Sequence, residues 1–187
     1  MNKEEINDCY ARFAAGDGDA FEEIVTYFRD NLIYFINRYI NNMDIAEDLS
    51  EDVFVELLMN PKRYKMSASK ASLKTYIFTI GRNKAVDYIR KNKKLMPDEI
   101  SKDIADGAAS FEDEFCKEEI KKAMYRIMKT MNKDYSMVLY LLYFENMSYE
   151  EAGRVMKKSK KQIANLTTRA KQTLRTALEK EGFEYEE

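Results

Sequence analysis

The chain contains no histidine and no tryptophan, and only two prolines, six glycines and two cysteines in 187 residues. Without histidine, imidazole acid–base chemistry and His–metal sites are excluded. Cys9 and Cys116 lie far apart and form no metal or redox motif, so both read as reduced thiols. Scarce Gly and Pro argue against an all-β chain with many turns. There is neither a glycine-rich phosphate loop nor a nucleophile motif, so nothing nominates a catalytic centre or a cofactor, and a non-enzyme is expected. No run of 18 apolar residues is present, which excludes a transmembrane helix. The acidic start, MNKEEINDCYARF, lacks the apolar core of a signal peptide, so a cytoplasmic protein is expected.

What the chain does have is helical periodicity and segregated charge. Hydrophobic residues make up 45% and aromatics 12%, which rules out wholesale disorder. Long stretches of 3.6-residue period point to an all-α protein. The formal net charge of −2 hides strong blocks. Residues 1–60 carry 4 Lys/Arg against 14 Asp/Glu, and residues 61–94 carry 11 against 1. Residues 95–120 carry 2 against 9, and residues 121–187 carry 14 against 9. Two basic blocks, each beside an acidic one, suggest two separate polyanion contacts.

In chain order, a helix is expected over residues 3–15, closed by Gly16-Asp17-Gly18. Asp19 with Glu22 is read as the start of the next helix, which runs to about Asn41. Asp44 with Glu47 is read as the start of a third helix, ending before Pro61, with Val53, Phe54, Leu57 and Leu58 assigned to the core. Its Glu47, Asp48, Glu51 and Asp52 make an acidic face, either solvated or a protein-docking surface. The loop PKRYKMSASKA is basic, and Ser69 or Ser72 caps a long helix after it, with Leu73, Tyr76, Ile77, Ile80, Val86 and Ile89 as its buried stripe. Basic residues interleaved with Tyr64 and Tyr76 resemble surfaces that hold single-stranded nucleic acid, although a basic surface over core tyrosines fits as well. Residues 95–110 hold Pro97, Gly107 and several acids and read as a linker. Ser110 with Asp113, and then Asn132 or Asp134, are read as further helix starts, with Leu141, Leu142 and Tyr143 among the apolar positions of the second.

The stretch Ser148 to Arg175 carries the most information. Ser148-Tyr149-Glu150-Glu151 and Ser159-Lys160-Lys161-Gln162 are two capping boxes eleven residues apart. The first helix has room for about two turns, and the second places Ile163, Leu166, Ala170 and Leu174 on one apolar stripe. Between Arg154 and Arg175 there are eight Lys/Arg and no acid. A short helix, a tight turn and a basic amphipathic helix form the helix-turn-helix pattern, whose second helix fits a DNA major groove. Two capped helices with a solvated basic face remain the plainer alternative from this pattern alone.

Taken together, these motifs resemble the bacterial extracytoplasmic-function sigma factors, the compact two-domain specificity subunits of RNA polymerase. DIAEDLSEDVFVELL is similar to the family's clamp-docking helix, and SLKTYIFTIGRNKAVDYIRK to its promoter-melting helix. FENMSYEEAGRVMKKSKKQIANLTTRAKQTLR is similar to its −35-reading segment. The resemblance implies an all-α protein of two small helical domains. Residues 1–94 would be region 2-like, 95–110 an acidic linker, and 111–187 a region 4-like helix-turn-helix. It further implies docking on core RNA polymerase through Asp48, Glu51 and Asp52. Contact with melted −10 DNA is implied for Lys62, Arg63, Tyr64, Lys65, Lys74, Tyr76, Arg82 and Asn83. Contact with −35 duplex is implied for Lys160, Lys161, Gln162, Asn165, Thr168, Arg169 and Lys171. A monomer when free is expected, held by an anti-sigma factor that in many relatives is membrane-bound.

The sequence departs from the family in places. Tyr76 stands where Trp is usual, Ala152-Gly153 where Ile-Ala is usual, and Ala164 where a basic residue is common. Leu142 stands where Arg is frequent, which removes one expected DNA contact. The competing readings are a helix-turn-helix regulator that acts without polymerase and a helical interaction protein with solvated basic faces.

Overall fold

A computed structural model describes residues 1–61, 72–95 and 119–182. Every regular element among them is helical. The chain divides into two compact units, Met1–Asp103 and Ile104–Glu187. The basic loop at 62–71, most of the expected linker, and the helix start assigned to Ser110 lie outside the described residues.

The first unit packs α1 (Lys3–Ala14), α2 (Gly18–Ile40), α3 (Met43–Met59) and α4 (Leu73–Leu95). Two helix starts differ from expectation. Asp17, not Asp19, caps α2, its carboxylate accepting from the amides of Asp19 and Ala20 at 3.0 and 3.3 Å. Asn42, not Asp44, caps α3, accepting from the amide of Ile45 at 3.1 Å. In both cases the earlier polar residue takes the extended cap conformation and leaves the later one in the first turn, where its charge suits the helix dipole. At α4 the Ser72 hydroxyl accepts from the amide of Thr75 at 3.2 Å.

The core of this unit is aromatic and aliphatic: Phe28, Phe35, Leu32 and Ile36 of α2, Leu57 of α3, and Leu73, Ile77 and Phe78 of α4 are almost fully buried. Each such side chain contributes about 1.5–3 kcal/mol on burial. Phe35 and Phe78 join α2 to α4 with ring centroids 4.9 Å apart. Gly81 permits that approach, since a Cβ there would lie 2.8 Å from Leu32 Cδ1. Cys9 is a buried free thiol that donates to the Ala20 carbonyl at 3.1 Å, and burial, then Glu23, pushes its pKa up.

The second unit contains α5 (Glu119–Thr130), α6 (Lys133–Leu139), a π-helical turn (Tyr140–Phe144), α7 (Tyr149–Met156) and α8 (Lys160–Lys180). Asn132 caps α6. The π turn is unexpected from sequence. It closes through the Glu145 amide donating to the Tyr140 carbonyl at 3.1 Å, five residues back. Inside it, the Tyr140 hydroxyl donates to the buried Glu145 carboxylate at 2.9 Å. Tyr143, expected among the apolar positions, is 49% exposed; two residues after the buried Leu141, it lies on the opposite side of the helix.

Candidate nucleic-acid and docking interfaces

Both capping boxes form as their spacing requires. The Ser148 hydroxyl accepts from the Glu151 amide at 3.2 Å, and the Glu151 carboxylate accepts from the Ser148 amide at 3.0 Å. The Ser159 hydroxyl accepts from the Gln162 backbone amide at 3.2 Å, and the Gln162 side-chain Oε1 accepts from the Ser159 amide at 2.7 Å. Between them the chain reverses at Lys157, a non-glycine residue in the left-handed region with φ of 55°. The Lys158 amide then donates to the Gly153 carbonyl at 2.8 Å, closing α7. Gly153 is demanded by this turn, because a Cβ there would sit 2.6 Å from the Lys158 carbonyl oxygen. Three residues therefore separate α7 from α8, the compact helix-turn-helix geometry.

Ile163, Thr167, Ala170, Leu174 and Leu178 bury one side of α8. Thr167 takes a core place that the sequence pattern gave to Leu166, its hydroxyl satisfied by the Ile163 carbonyl at 2.8 Å. Opposite this stripe, Lys161, Asn165, Thr168 and Gln172 recur at steps of 4, 3 and 4 and are all exposed, forming one outward line. Gln172 joins this line although its sequence context did not single it out. Arg169 and Lys171, two residues apart and so about 200° apart around the axis, flank the line on opposite sides. The Lys171 ammonium lies 5.1 Å from the Tyr143 ring centroid, and its hydrogen bond with that tyrosine raises its pKa. Lys160 turns back to Glu150, whose carboxyl it holds below the usual range, so it is less free than Lys161.

In the first unit the expected −10 residues separate. Lys62, Arg63, Tyr64 and Lys65 lie outside the described residues. On α4, Tyr76 and Asn83 are two turns apart on one side of the helix and half-buried, whereas Arg82, also half-buried, lies about 100–120° around the axis from them, toward the Lys74 side. Lys74 points to the opposite side from Tyr76, so the structure does not bring it to that line. Tyr76, Val86 and Ile89, assigned to the buried stripe, are half-buried; Phe78 and Ala85 take the core places instead. Lys84 faces α3, 3.8 Å from Asp52 and 3.5 Å from Glu56.

On α3 the expected docking residues Asp48, Glu51 and Asp52 are exposed on one face. That face continues into apolar side chains that sequence reasoning missed as surface: Val55, Leu58 and Met59 are 55%, 49% and 74% exposed. Leu58 is therefore not core. An open groove between α2 and α3 has Phe21, Val25, Phe54, Val55 and Leu58 as its apolar lining. The Ser50 hydroxyl, buried without a hydrogen-bond partner, lies in the same groove. The Arg29–Glu47 ion pair stands at its edge. Apolar area of this kind, rimmed by charge, is characteristic of protein contact surfaces. Among the described residues no cluster of carboxylates or thiols is arranged to hold a metal ion, and no helix is long and apolar enough to cross a membrane.

Comparison with known proteins matches both units. Residues 24–95 match the family model for Sigma-70 region 2, and residues 121–174 the model for Sigma-70, region 4. The chain is 26% identical to the ECF RNA polymerase sigma factor SigM of Bacillus subtilis, over 82% of this chain and 92% of that one. It is 25% identical to the ECF RNA polymerase sigma factor SigW of the same organism, over 75% and 79% of the two chains. Among solved structures, the sigma factor RpoE of Bartonella quintana, in complex with the anti-sigma factor NepR, shares the fold. Its TM-score is 0.68 and its identity 20%, over 85% of this chain and 96% of that one.

Proposed function

The chain belongs to the extracytoplasmic-function group of the sigma-70 family, and from that premise we propose how its two units divide the work of directing transcription initiation. The exposed face of α3, acidic at Asp48, Glu51 and Asp52 and apolar at Val55, Leu58 and Met59, docks on core RNA polymerase. The side of α4 that carries Tyr76 and Asn83, with Arg82 at its edge, holds the melted −10 strand, joined by the basic segment around Lys62 to Lys65. The helix-turn-helix of the second unit reads −35 duplex through Gln162, Asn165, Thr168 and Arg169.

The observation that carries this reading is the coexistence of two unlike surfaces on one chain. The outward face of α8, without an acid from Lys160 to Arg175, suits duplex phosphate. A charged and apolar helix face suits a protein partner. A regulator that acts without polymerase leaves the exposed α3 face without a role. Sigma factors act in general as regulators rather than enzymes, and we infer that this one performs no chemistry. A small anti-sigma partner, of the kind bound in the Bartonella structure, would compete for the same docking surfaces.

The test is run-off transcription with purified core RNA polymerase and this chain. Promoter-dependent transcripts and stable core binding are expected. Absence of both would overturn the reading.

A further inference from the structure

A cleft opens between α6 and the second half of α8, lined by Tyr135, Arg169, Gln172, Thr173, Thr176 and Lys180. No acidic side chain lines it. The described acids nearest to it in sequence are engaged elsewhere. Asp134 pairs with Lys158 at 3.1 Å, Glu179 with Arg175 at 3.0 Å, and Glu181 with Arg126 at 3.2 Å. Arg169 and Lys180 have no side-chain partner among the described residues, nor does the Tyr135 hydroxyl. The Thr173 hydroxyl donates to the Arg169 carbonyl at 3.0 Å and is occupied. What remains is a row of donors, two of them cationic, with no acid paired to them among the described residues.

We propose that this cleft binds the phosphodiester backbone of one DNA strand, with Tyr135, Thr176 and Lys180 as contacts additional to the base-reading line of α8. The proposal rests on the duplex-reading role of α8. Its geometry follows from helix dimensions. An α-helix with side chains is about 10–12 Å across and the major groove about 12 Å wide, so a helix seated there has a sugar–phosphate strand along each flank. Arg169 and Lys180 lie three turns apart on one flank, about 16 Å along the axis. Two cations that far apart, with hydroxyl and amide donors between them, fit a run of backbone rather than one isolated phosphate ion. Lys171, beside Tyr143, serves the other flank.

The test uses the full chain assembled with core polymerase on promoter fragments carrying either the preferred or a scrambled −35 sequence. Lys180→Ala and the double variant Tyr135→Phe/Lys180→Ala should weaken binding by the same factor on both fragments. For every phosphate that a variant no longer neutralises, the slope of log K against log salt should fall by about 0.9. Lys180→Arg should restore the slope. Phosphate ethylation should interfere with the parent at positions where it no longer matters to the double variant. Thermal melts equal to the parent's confirm folding. Asn165→Ala is the companion variant, expected to change sequence preference with an unchanged slope. If Asn165→Ala does so while the cleft variants leave slope and interference pattern unchanged, the cleft proposal is overturned and the duplex-reading role stands. If no variant has any effect, both fall.

Discussion

The ammonium of Lys171 sits over the exposed ring of Tyr143, 5.1 Å from its centroid, linking α8 to the π-helical turn. A cation–π contact at an exposed site is worth about 0.5–1 kcal/mol. The hydrogen bond with Tyr143 raises the Lys171 pKa. Its stabilising effect is therefore complete below the ordinary lysine range and is lost as pH rises through the raised value. Tyr143→Leu should return the Lys171 pKa toward its ordinary value, followed by NMR titration of the lysine side chain. An unchanged titration would show that the contact does not persist in solution.

Gly153 leaves no room for a methyl group, since its Cβ would approach the Lys158 carbonyl oxygen at 2.6 Å. That neighbour is backbone and cannot turn aside. Gly153→Ala should destabilise the second unit by about 1–3 kcal/mol through overpacking. Chemical denaturation monitored by circular dichroism measures it, and a loss below the error of the fit would mean that the turn adjusts freely.

Leu58 is half exposed on α3. Leu58→Glu should change stability by no more than about 0.5 kcal/mol, as is usual at the surface. It should weaken binding to core RNA polymerase at least about tenfold, a change of about 1.4 kcal/mol. Thermal melting and core-binding titration separate the two effects, and equal loss in both would return Leu58 to the core.

Asp17 caps α2 and also accepts from the Arg12 guanidinium, Nε at 2.9 Å. That bond, with the bond from the Ala20 amide behind it, lowers the Asp17 pKa. A lowered carboxyl contributes stability above its unfolded pKa and loses it as pH falls through the folded value. Acid should therefore destabilise the parent more than Asp17→Asn, which keeps an oxygen for the cap but has no charge to lose. Parallel acid titrations of melting temperature check this.

Arg169→Ala should weaken promoter binding while leaving core binding intact, and Asn83→Ala should slow −10 melting, read by permanganate reactivity of unpaired thymines. If either variant also abolished core binding, it would act through folding rather than DNA recognition.

Local signals were legible in the sequence, and tertiary ones were not. The boxes at Ser148 and Ser159 need only residues three apart, and both are formed. Where two polar residues compete for a helix start, as Asp17 does with Asp19 and Asn42 with Asp44, spacing alone cannot choose the one that takes the extended conformation. Periodicity finds a stripe but not its edge. Leu57 and Leu58 are adjacent leucines, and packing against α2 and α4 buries only the first. The π-helical turn at Tyr140–Phe144 is a local widening that no propensity encodes. The Tyr135 cleft joins α6 to a helix that begins 25 residues later in sequence, so it exists only once the unit has folded.

The turn from Tyr140 to Phe144 ends its helix with a ring one residue wider than an α turn, closed by the Glu145 amide on the Tyr140 carbonyl. The same widening sets the side chains of two residues five apart against each other, the Tyr140 hydroxyl on the Glu145 carboxylate. The point where the chain leaves this helix for the helix-turn-helix is thus pinned twice, once through backbone and once through side chains.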